Sequence, residues 1–227
     1  MNDVCSQSGL ASLDIDTVTA QLKAQGAITL TLADLGILLG DICQVRSIAA
    51  SPALPSHDWD IAHHGVEVSG AEMLLHCPQV YQLGVHPQLM AIAYDYFGRD
   101  VILHDVTYRI DHSTPKQLGV RRWHRDREAP TMLKVMIYLH DVDAEGGGFE
   151  YIPKPKTPWM GWFRLFPQSD RYTNQTMQRL VPPHHWVRCT GQAGTVIVAD
   201  VAAVYHHGTN PKHQREIVTF TYLPRGG

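Results

Sequence analysis

The spacing of apolar residues changes near residue 100 of this chain of 227 residues. Before that point, apolar side chains recur every three or four positions, and from residue 101 they form short runs or alternate with polar ones. The first spacing is typical of helices and the second of strands. The pattern therefore predicts a mainly helical part over residues 1–100 and a β-rich part after it.

Three helices are predicted in the N-terminal part, over residues 12–25, 31–45 and 87–97. Gly26 and Gly98 stand where the first and third helices should end, and glycine is the common residue just after a helix. A short strand is predicted for residues 27–32. Residues 51–69 contain two prolines and the pair His63-His64, and they are predicted as a loop.

Strands are predicted over residues 101–103, 106–110, 132–139, 149–153, 195–199, 201–206 and 217–223. Many short strands after a helical third are typical of a double-sheet jelly roll with helices packed outside. We therefore expect one domain over residues 1–227, mostly β with flanking helices. Its double-stranded β-helix, or cupin-like, core should comprise residues 101–153 and 190–224.

The segment 154–189 interrupts the strand pattern. Between Lys154 and Arg188 it carries six basic residues against a single acid, Asp170, and aromatic residues are interleaved among them. Insertions of this size between core strands are often lids or binding loops. Two interpretations stay open: a substrate cover suited to an anion, or a basic surface loop whose aromatic residues pack on the barrel.

The composition is that of a soluble globular protein, with 44% hydrophobic and 18% charged residues. A formal net charge of −3 gives no general attraction to nucleic acid or to anionic membranes, and no apolar run approaches the roughly 20 residues of a membrane span. The four cysteines include no CxxC pair, which fits a reducing cytosol. We expect a cytoplasmic protein, and nothing in the sequence indicates its oligomeric state.

A histidine and a carboxylate lie two positions apart in Trp123-His124-Arg125-Asp126. On a strand, such residues point to the same side and can bind one metal ion. A third ligand is available from His206 or His207. Two histidines and one carboxylate on one face of the metal form the set used by non-haem Fe(II) oxygenases.

An arginine follows on the next predicted strand. Arg215 comes nine residues after His206 and directly precedes the β-branched run that begins at Ile217. A guanidinium in this position can reach the same cavity and bind a carboxylate with two hydrogen bonds. An α-keto diacid co-substrate needs such a group at its distal end.

Together these residues resemble the phytanoyl-CoA dioxygenase family of iron- and 2-oxoglutarate-dependent oxygenases. The resemblance covers roughly residues 80–153 and 190–224. It is supported by the stretches 86–89 with 97–98, 138–143, 146–153 and 206–211. The sequence departs from the family at Lys154-Pro155-Lys156, where a Gly-Ser-His ending is common.

The resemblance implies a set of site residues. His124, Asp126 and His206 would bind iron, and His206 is preferred to His207 because the family's ligand is followed by one residue and then glycine. Arg215 would bind the distal carboxylate of 2-oxoglutarate. Hydroxyl groups that could also contact the co-substrate belong to Thr195, Tyr138 and Thr219.

The implied function is a dioxygenase that uses Fe(II), 2-oxoglutarate and O2, oxidises a small molecule and releases succinate and CO2. The presence of Asp126 favours hydroxylation, or a derived demethylation, desaturation or ring formation, over halogenation. Basic and aromatic residues near the first ligand and in the insert predict a small to medium anionic substrate. These residues are Arg121, Arg122, Trp123, Arg164 and Trp186. The alternatives are a catalytically silent jelly roll that binds a metal or small ligand, and a metal-dependent cupin that does not use 2-oxoglutarate.

Overall fold

The computed structural model describes residues 13–37, 66–69, 78–114, 116–157 and 171–226. Its strands are β1 (Ala27–Thr31), β2 (Val66–Ser69), β3 (Val101–Asp111), β4 (Leu133–Tyr138), β5 (Phe149–Tyr151), β6 (Val187–Cys189), β7 (Thr195–Asp200), β8 (His206–Gly208) and β9 (Arg215–Pro224). Its helices are α1 (Ile15–Gln25), α2 (Pro78–Gly84), α3 (Pro87–Phe97) and α4 (Asn174–Leu180), and short 3₁₀ turns lie at Gly119–Arg121, Lys154–Lys156 and Pro183–His185.

The strands form two antiparallel sheets. The major sheet has six strands in the order β1-β7-β4-β9-β3-β2, and the minor sheet has three in the order β6-β5-β8. Strands that are distant in sequence lie side by side in both sheets, as a jelly roll requires. The predicted fold, a mostly β double-stranded β-helix with flanking helices, is confirmed.

The central strands of the major sheet are buried on both faces. One face packs against the helices in a core cluster of Leu22, Leu89, Ile92, Val135, Ile137, Val196, Val198, Val218 and Phe220. The other face meets the minor sheet in a second cluster that includes Met136, Tyr138, Phe149, Tyr151, Ile197, Ala199 and Ile217. Burial on both faces explains why β4, β7 and β9 are predominantly apolar runs rather than strict alternations.

Two of the three predicted helices are confirmed. Asp14 caps α1 by accepting a hydrogen bond from the Thr17 backbone, and Gly26 ends that helix with φ 86°. A Cβ at Gly26 would lie 2.3 Å from Cγ1 of Val204, so only glycine fits. Gly98 ends α3 in the same left-handed conformation. The other predicted helix, over residues 31–45, is wrong for its described part, because Thr31 ends β1 and residues 32–36 form turns; residues 38–45 lie outside the described ranges, as do His63 and His64.

Residues 1–100 provide more than helices, since β1 and β2 form the two edges of the major sheet. The prediction of a loop throughout residues 51–69 is wrong, because residues 66–69 form β2 and pair with β3. The predicted strand over 201–206 is also wrong: β7 ends at Asp200, a turn follows, and β8 starts at His206. No described helix has the length and apolarity needed to cross a membrane.

The predicted insert, residues 154–189, contains part of the barrel. Its last residues form β6, which pairs with β5 in the minor sheet, and α4 lies between the two ends of the segment. The start of the segment is attached to the helical layer, because Lys154 Nζ donates to the Tyr96 hydroxyl at 3.1 Å. Residues 158–170, which carry Arg164 and most of the aromatic side chains of the segment, lie outside the described ranges.

Candidate metal centre

The backbones of His124 and His206 are paired directly. Each residue donates its N–H to the carbonyl oxygen of the other, at 3.0 and 2.9 Å. Residues that exchange both hydrogen bonds in an antiparallel pair project their side chains to the same face. The two imidazole rings consequently lie together, with centroids 4.4 Å apart.

Asp126 completes a cluster with these two histidines. Its Oδ1 atom lies 3.3 Å from Nε2 of His124 and 3.7 Å from Nε2 of His206. One ligand atom from each of the three residues lies within 4.8 Å of the others. The structure thus brings together the three residues predicted as metal ligands.

Hydrogen bonds fix the tautomers of both histidines. Nδ1 of His124 lies 2.7 Å from the Arg122 carbonyl oxygen, and Nδ1 of His206 lies 3.2 Å from the Val204 carbonyl oxygen. A carbonyl only accepts, so each Nδ1 donates and each Nε2 can direct a lone pair at a metal. Burial, followed by the influence of His124, lowers the pKa of His206 to about 3, which keeps this ring neutral.

Lys134 contacts the third ligand, and the sequence analysis did not identify it. Its Nζ atom lies 2.6 Å from Oδ2 of Asp126, the oxygen that does not face the two histidines. Burial alone would raise the pKa of Asp126. The hydrogen bond with His124 and the contact with the Lys134 ammonium instead hold that pKa well below its usual range. The sequence feature that could have indicated this contact is a lysine inside the otherwise apolar strand β4.

His207 points to the opposite face of β8. Its Nδ1 lies 2.8 Å from the carbonyl oxygen of Arg121, and its Nε2 lies 2.9 Å from Oε2 of Glu150. The ring also packs on Trp123, with centroids 4.1 Å apart. Both nitrogens therefore have partners away from the metal cluster, and His206 is the one that joins it.

The cluster opens into a cavity of about 200 Å³ inside the barrel. Alternate residues of the paired strands β3, β9 and β4 lie side by side in the cavity wall. For example, Thr219 of β9 pairs with Thr107 of β3 on one side and with Met136 of β4 on the other. Besides the three candidate ligands, the lining includes Asp105, Thr107, Arg109, Glu128, Lys134, Met136, Tyr138, Phe149, Arg171, Arg215, Ile217, Thr219 and Thr221.

Arg215 lies in the cavity wall, within a buried group of charges. Its Nε and Nη2 donate to Oδ2 of Asp111 at 3.0 and 2.5 Å, and its Nη1 donates to the Gly147 carbonyl. Arg109 Nε reaches the same carboxylate oxygen at 3.1 Å, and Arg121 Nη2 lies 4.0 Å from Oδ1. Burial would raise the pKa of Asp111, but the guanidiniums of Arg109 and Arg215 lower it to about 2.

The three hydroxyl groups predicted to contact the co-substrate do not all lie in the cavity. Thr219 and Tyr138 line the cavity. The Tyr138 hydroxyl donates to the Cys189 carbonyl at 2.8 Å and accepts from the Phe149 N–H at 2.9 Å, so it already has two backbone partners. Thr195 is not among the lining residues, and its hydroxyl donates to the Gln192 carbonyl.

None of the predicted substrate residues that the structure describes lines the cavity. Arg122 donates to the Gln117 carbonyl near the surface. Trp123 is fully buried, donates to Asn174 and packs against Trp186 with ring centroids 4.8 Å apart. The tryptophans are therefore part of a small core beneath α4. Two further arginines line the cavity: Arg109, which was not predicted, and Arg171, which is one of the six basic residues of the segment 154–189 that was considered as a cover for an anion.

Comparison with known proteins gives structural matches only. No family model matches the chain, and no curated protein matches it. Among solved structures, it is similar to the non-haem α-ketoglutarate-dependent epimerase SnoN from nogalamycin biosynthesis (TM-score 0.64, 17% identity, 92% of this chain and 82% of that one). It is also similar to HygX from Streptomyces hygroscopicus with nickel, 2-oxoglutarate and hygromycin B bound (TM-score 0.65, 14% identity, 91% of this chain and 86% of that one). The chain has the fold of these non-haem 2-oxoglutarate-dependent enzymes.

EctD from S. alaskensis, with 2-oxoglutarate and 5-hydroxyectoine bound, is a further match (TM-score 0.61, 17% identity, 97% of this chain and 80% of that one). Identities this low show a common fold, and the narrower resemblance to the phytanoyl-CoA dioxygenase family stays a prediction.

The residues of this chain fit the metal and co-substrate of those neighbours. Two imidazole nitrogens and one carboxylate oxygen are the donor set of non-haem Fe(II) sites. The same cavity is lined by the buried guanidinium of Arg215 and by that of Arg109, and these two positive groups share the single carboxylate of Asp111. An anionic keto acid could therefore be bound between the metal donors and the arginines.

Proposed function

We propose that this protein is an Fe(II)- and 2-oxoglutarate-dependent dioxygenase. It would oxidise a small to medium anionic metabolite or natural-product intermediate, by hydroxylation or a derived demethylation or desaturation, and release succinate and CO2. The observation that carries the proposal is a single cavity lined both by the cluster of His124, Asp126 and His206 and by the buried guanidinium of Arg215.

Each residue has a definite task in this function. His124, Asp126 and His206 would hold Fe(II), which with 2-oxoglutarate and O2 supplies the power to oxidise a C–H bond. Lys134 holds one oxygen of Asp126 and leaves the other facing the histidines. Arg215 would bind the distal carboxylate of the co-substrate, beside Thr219.

The barrel shields the site from water. Met136, Phe149 and Ile217 line the cavity and are at most 6% exposed. The Phe149 ring stacks on the His206 ring at a centroid distance of 5.4 Å. Exclusion of water protects reactive species and strengthens the interactions that orient the bound molecules.

A second candidate is a metal-binding protein that does not use 2-oxoglutarate. One observation favours it: Nε, Nη1 and Nη2 of Arg215 each already donate to an acceptor of the protein. Each Nη group has a second N–H, so these contacts leave donors for a ligand. The two candidates differ in whether 2-oxoglutarate binds.

The deciding experiment is anaerobic titration of the protein with Fe(II) and then with 2-oxoglutarate, followed by the visible charge-transfer band of the iron–keto acid chelate. We expect one iron and one 2-oxoglutarate per chain, and succinate after O2 is admitted. His206→Ala should abolish iron binding. The matched variant His207→Asn should still bind iron, because that ring faces Glu150.

Variants of Arg215 separate the two candidates. Arg215→Lys keeps a positive charge but loses the planar pair of donors, so 2-oxoglutarate should bind at least about tenfold more weakly while iron affinity is retained. Iron binding by the wild type without any 2-oxoglutarate binding would instead support the second candidate.

A further inference from the structure

Arg109 is the most accessible guanidinium of the buried group around Asp111. Its side chain is 22% exposed, against 1% for Arg121 and 2% for Arg215. It lies on β3 and lines the same cavity as the metal cluster. Within the described part of the chain, the one hydrogen bond of its side chain is the Nε contact to Asp111, so its two Nη groups can still donate to a ligand.

Arg109 and Arg215 share one carboxylate in this group. Oδ2 of Asp111 accepts from Nε of Arg109 and from Nε and Nη2 of Arg215, so two guanidiniums contact a single carboxylate oxygen. In the proposed function, the distal carboxylate of 2-oxoglutarate binds Arg215. Charged donors in a largely buried place favour an acceptor, so the remaining Nη groups of Arg109 favour a second anion in the cavity.

We propose that Arg109 binds a carboxylate of the substrate, so that the molecule oxidised is a small carboxylic acid. This inference rests on the proposed function, because it assigns Arg215 to 2-oxoglutarate. Two free Nη groups on one guanidinium match the two oxygens of a carboxylate. The cavity of about 200 Å³ restricts the ligand to a small group. The preference for an anion thus comes from the barrel wall, and Arg122 has no part in it.

Trifluoroacetate is a suitable probe, because it is a small carboxylate and its binding can be followed by ¹⁹F NMR. The protein is loaded with Zn(II), which keeps the sample diamagnetic and unreactive to O2, and is then saturated with 2-oxoglutarate to occupy Arg215. The variants are Arg109→Gln and Arg109→Lys. Arg122→Gln is the matched control, since this arginine lies outside the cavity.

We expect the wild type and Arg122→Gln to bind trifluoroacetate equally and Arg109→Gln to bind it at least about tenfold more weakly, the usual effect of losing charged hydrogen bonds. Arg109→Lys should lie between them. Trifluoroacetamide, which is uncharged, should not bind. Arg109→Gln removes one of three like charges and should fold, which its unfolding temperature checks.

Three results would overturn the inference: no trifluoroacetate binding by the wild type either with or without 2-oxoglutarate, equal binding by Arg109→Gln, or binding that is present without 2-oxoglutarate and is lost when 2-oxoglutarate displaces the probe. Displacement would assign Arg109 to the co-substrate. Calorimetric titration of the wild type with 2-oxoglutarate is performed first. No 2-oxoglutarate binding there would refute the proposed function itself, and this result is distinct from the other three.

Discussion

Replacing Asp111 by asparagine should destabilise the barrel, and the loss should depend on pH. Asp111 is 1% exposed, and its carboxylate accepts hydrogen bonds from Arg109 and Arg215. An amide of the same shape removes the negative charge that these two guanidiniums contact. Removal of one partner from a buried ion pair typically costs about 3–5 kcal/mol.

The pH-dependent part of this loss follows from the pKa. The pKa of Asp111 is about 2 in the folded protein, against an ordinary value of 3.8. At about 1.4 kcal/mol for each pH unit, the difference stabilises the fold by about 2 kcal/mol. Because the folded pKa is the lower one, this stabilisation is complete well above pH 3.8 and is lost as the pH falls through 2. Roughly half of it should be gone at pH 3.

Urea unfolding at pH 7 and at pH 3 measures both quantities. We expect the free energy of unfolding of Asp111→Asn to lie about 3–5 kcal/mol below that of the wild type at pH 7, with an unfolding temperature lowered by roughly 10 °C. At pH 3 the gap should narrow by about 1 kcal/mol. Asp105→Asn, a change of an exposed acid on the same strand, is the control and should have little effect.

Two results would refute this reasoning. One is a loss below about 1 kcal/mol at pH 7, which is too small for a broken buried pair. The other is a gap between variant and wild type that is the same at pH 7 and pH 3, since then the ionisation of Asp111 would not contribute. The variant should also bind 2-oxoglutarate weakly, because Asp111 accepts two of the hydrogen bonds that orient Arg215.

Three other predictions concern single side chains. Lys134→Met should weaken Fe(II) binding about 10- to 100-fold, because residues that hold metal ligands have effects of this size; competition with a chelator measures it, and unchanged affinity would contradict the assigned role of the lysine. Thr219→Val should raise the KM for 2-oxoglutarate in a succinate assay, whereas Thr195→Val should not, since the Thr195 hydroxyl donates to a backbone carbonyl outside the cavity. Trp123→Ala should destabilise the fold by about 3–5 kcal/mol in thermal or urea unfolding, and a loss under 1 kcal/mol would show that the ring is not part of a packed core.

Features encoded within a few neighbouring residues were predicted well. The helix α3 has its apolar face and its terminal glycine within one short segment, and β4 is a single run of apolar residues interrupted only by Lys134. Each follows from a local period or a local backbone requirement. The short strand β2 was missed because it lies in a segment rich in loop residues and is held by pairing with β3, a partner about 40 residues away in the sequence.

The charged group around Asp111 depends on contacts between distant residues. Asp111 ends β3 and Arg215 begins β9, and the two meet only because these antiparallel strands pair in that register. A shift of one residue would turn one of the side chains to the other face of the sheet. The sequence shows an aspartate and an arginine 104 positions apart and gives no sign of that register. For the same reason Arg109 could not be recognised as a cavity residue, although it stands two positions before Asp111.

The choice between His206 and His207 shows where sequence reasoning needs the fold. Neighbouring residues on a strand face opposite sides, so one of the pair must point inward, but alternation alone does not say which. The answer comes from two partners: β8 pairs His206 with His124 and pairs His207 with Glu150. Glu150 also binds Arg188 on the neighbouring strand β6, so the face of β8 that carries His207 has its own group of charged side chains. A one-residue shift of β8 would separate His207 from Glu150 and would also separate His206 from the other two metal ligands. The two faces of β8 thus enforce the same register, and the metal cluster is secured by contacts on the side of the strand that never meets the metal.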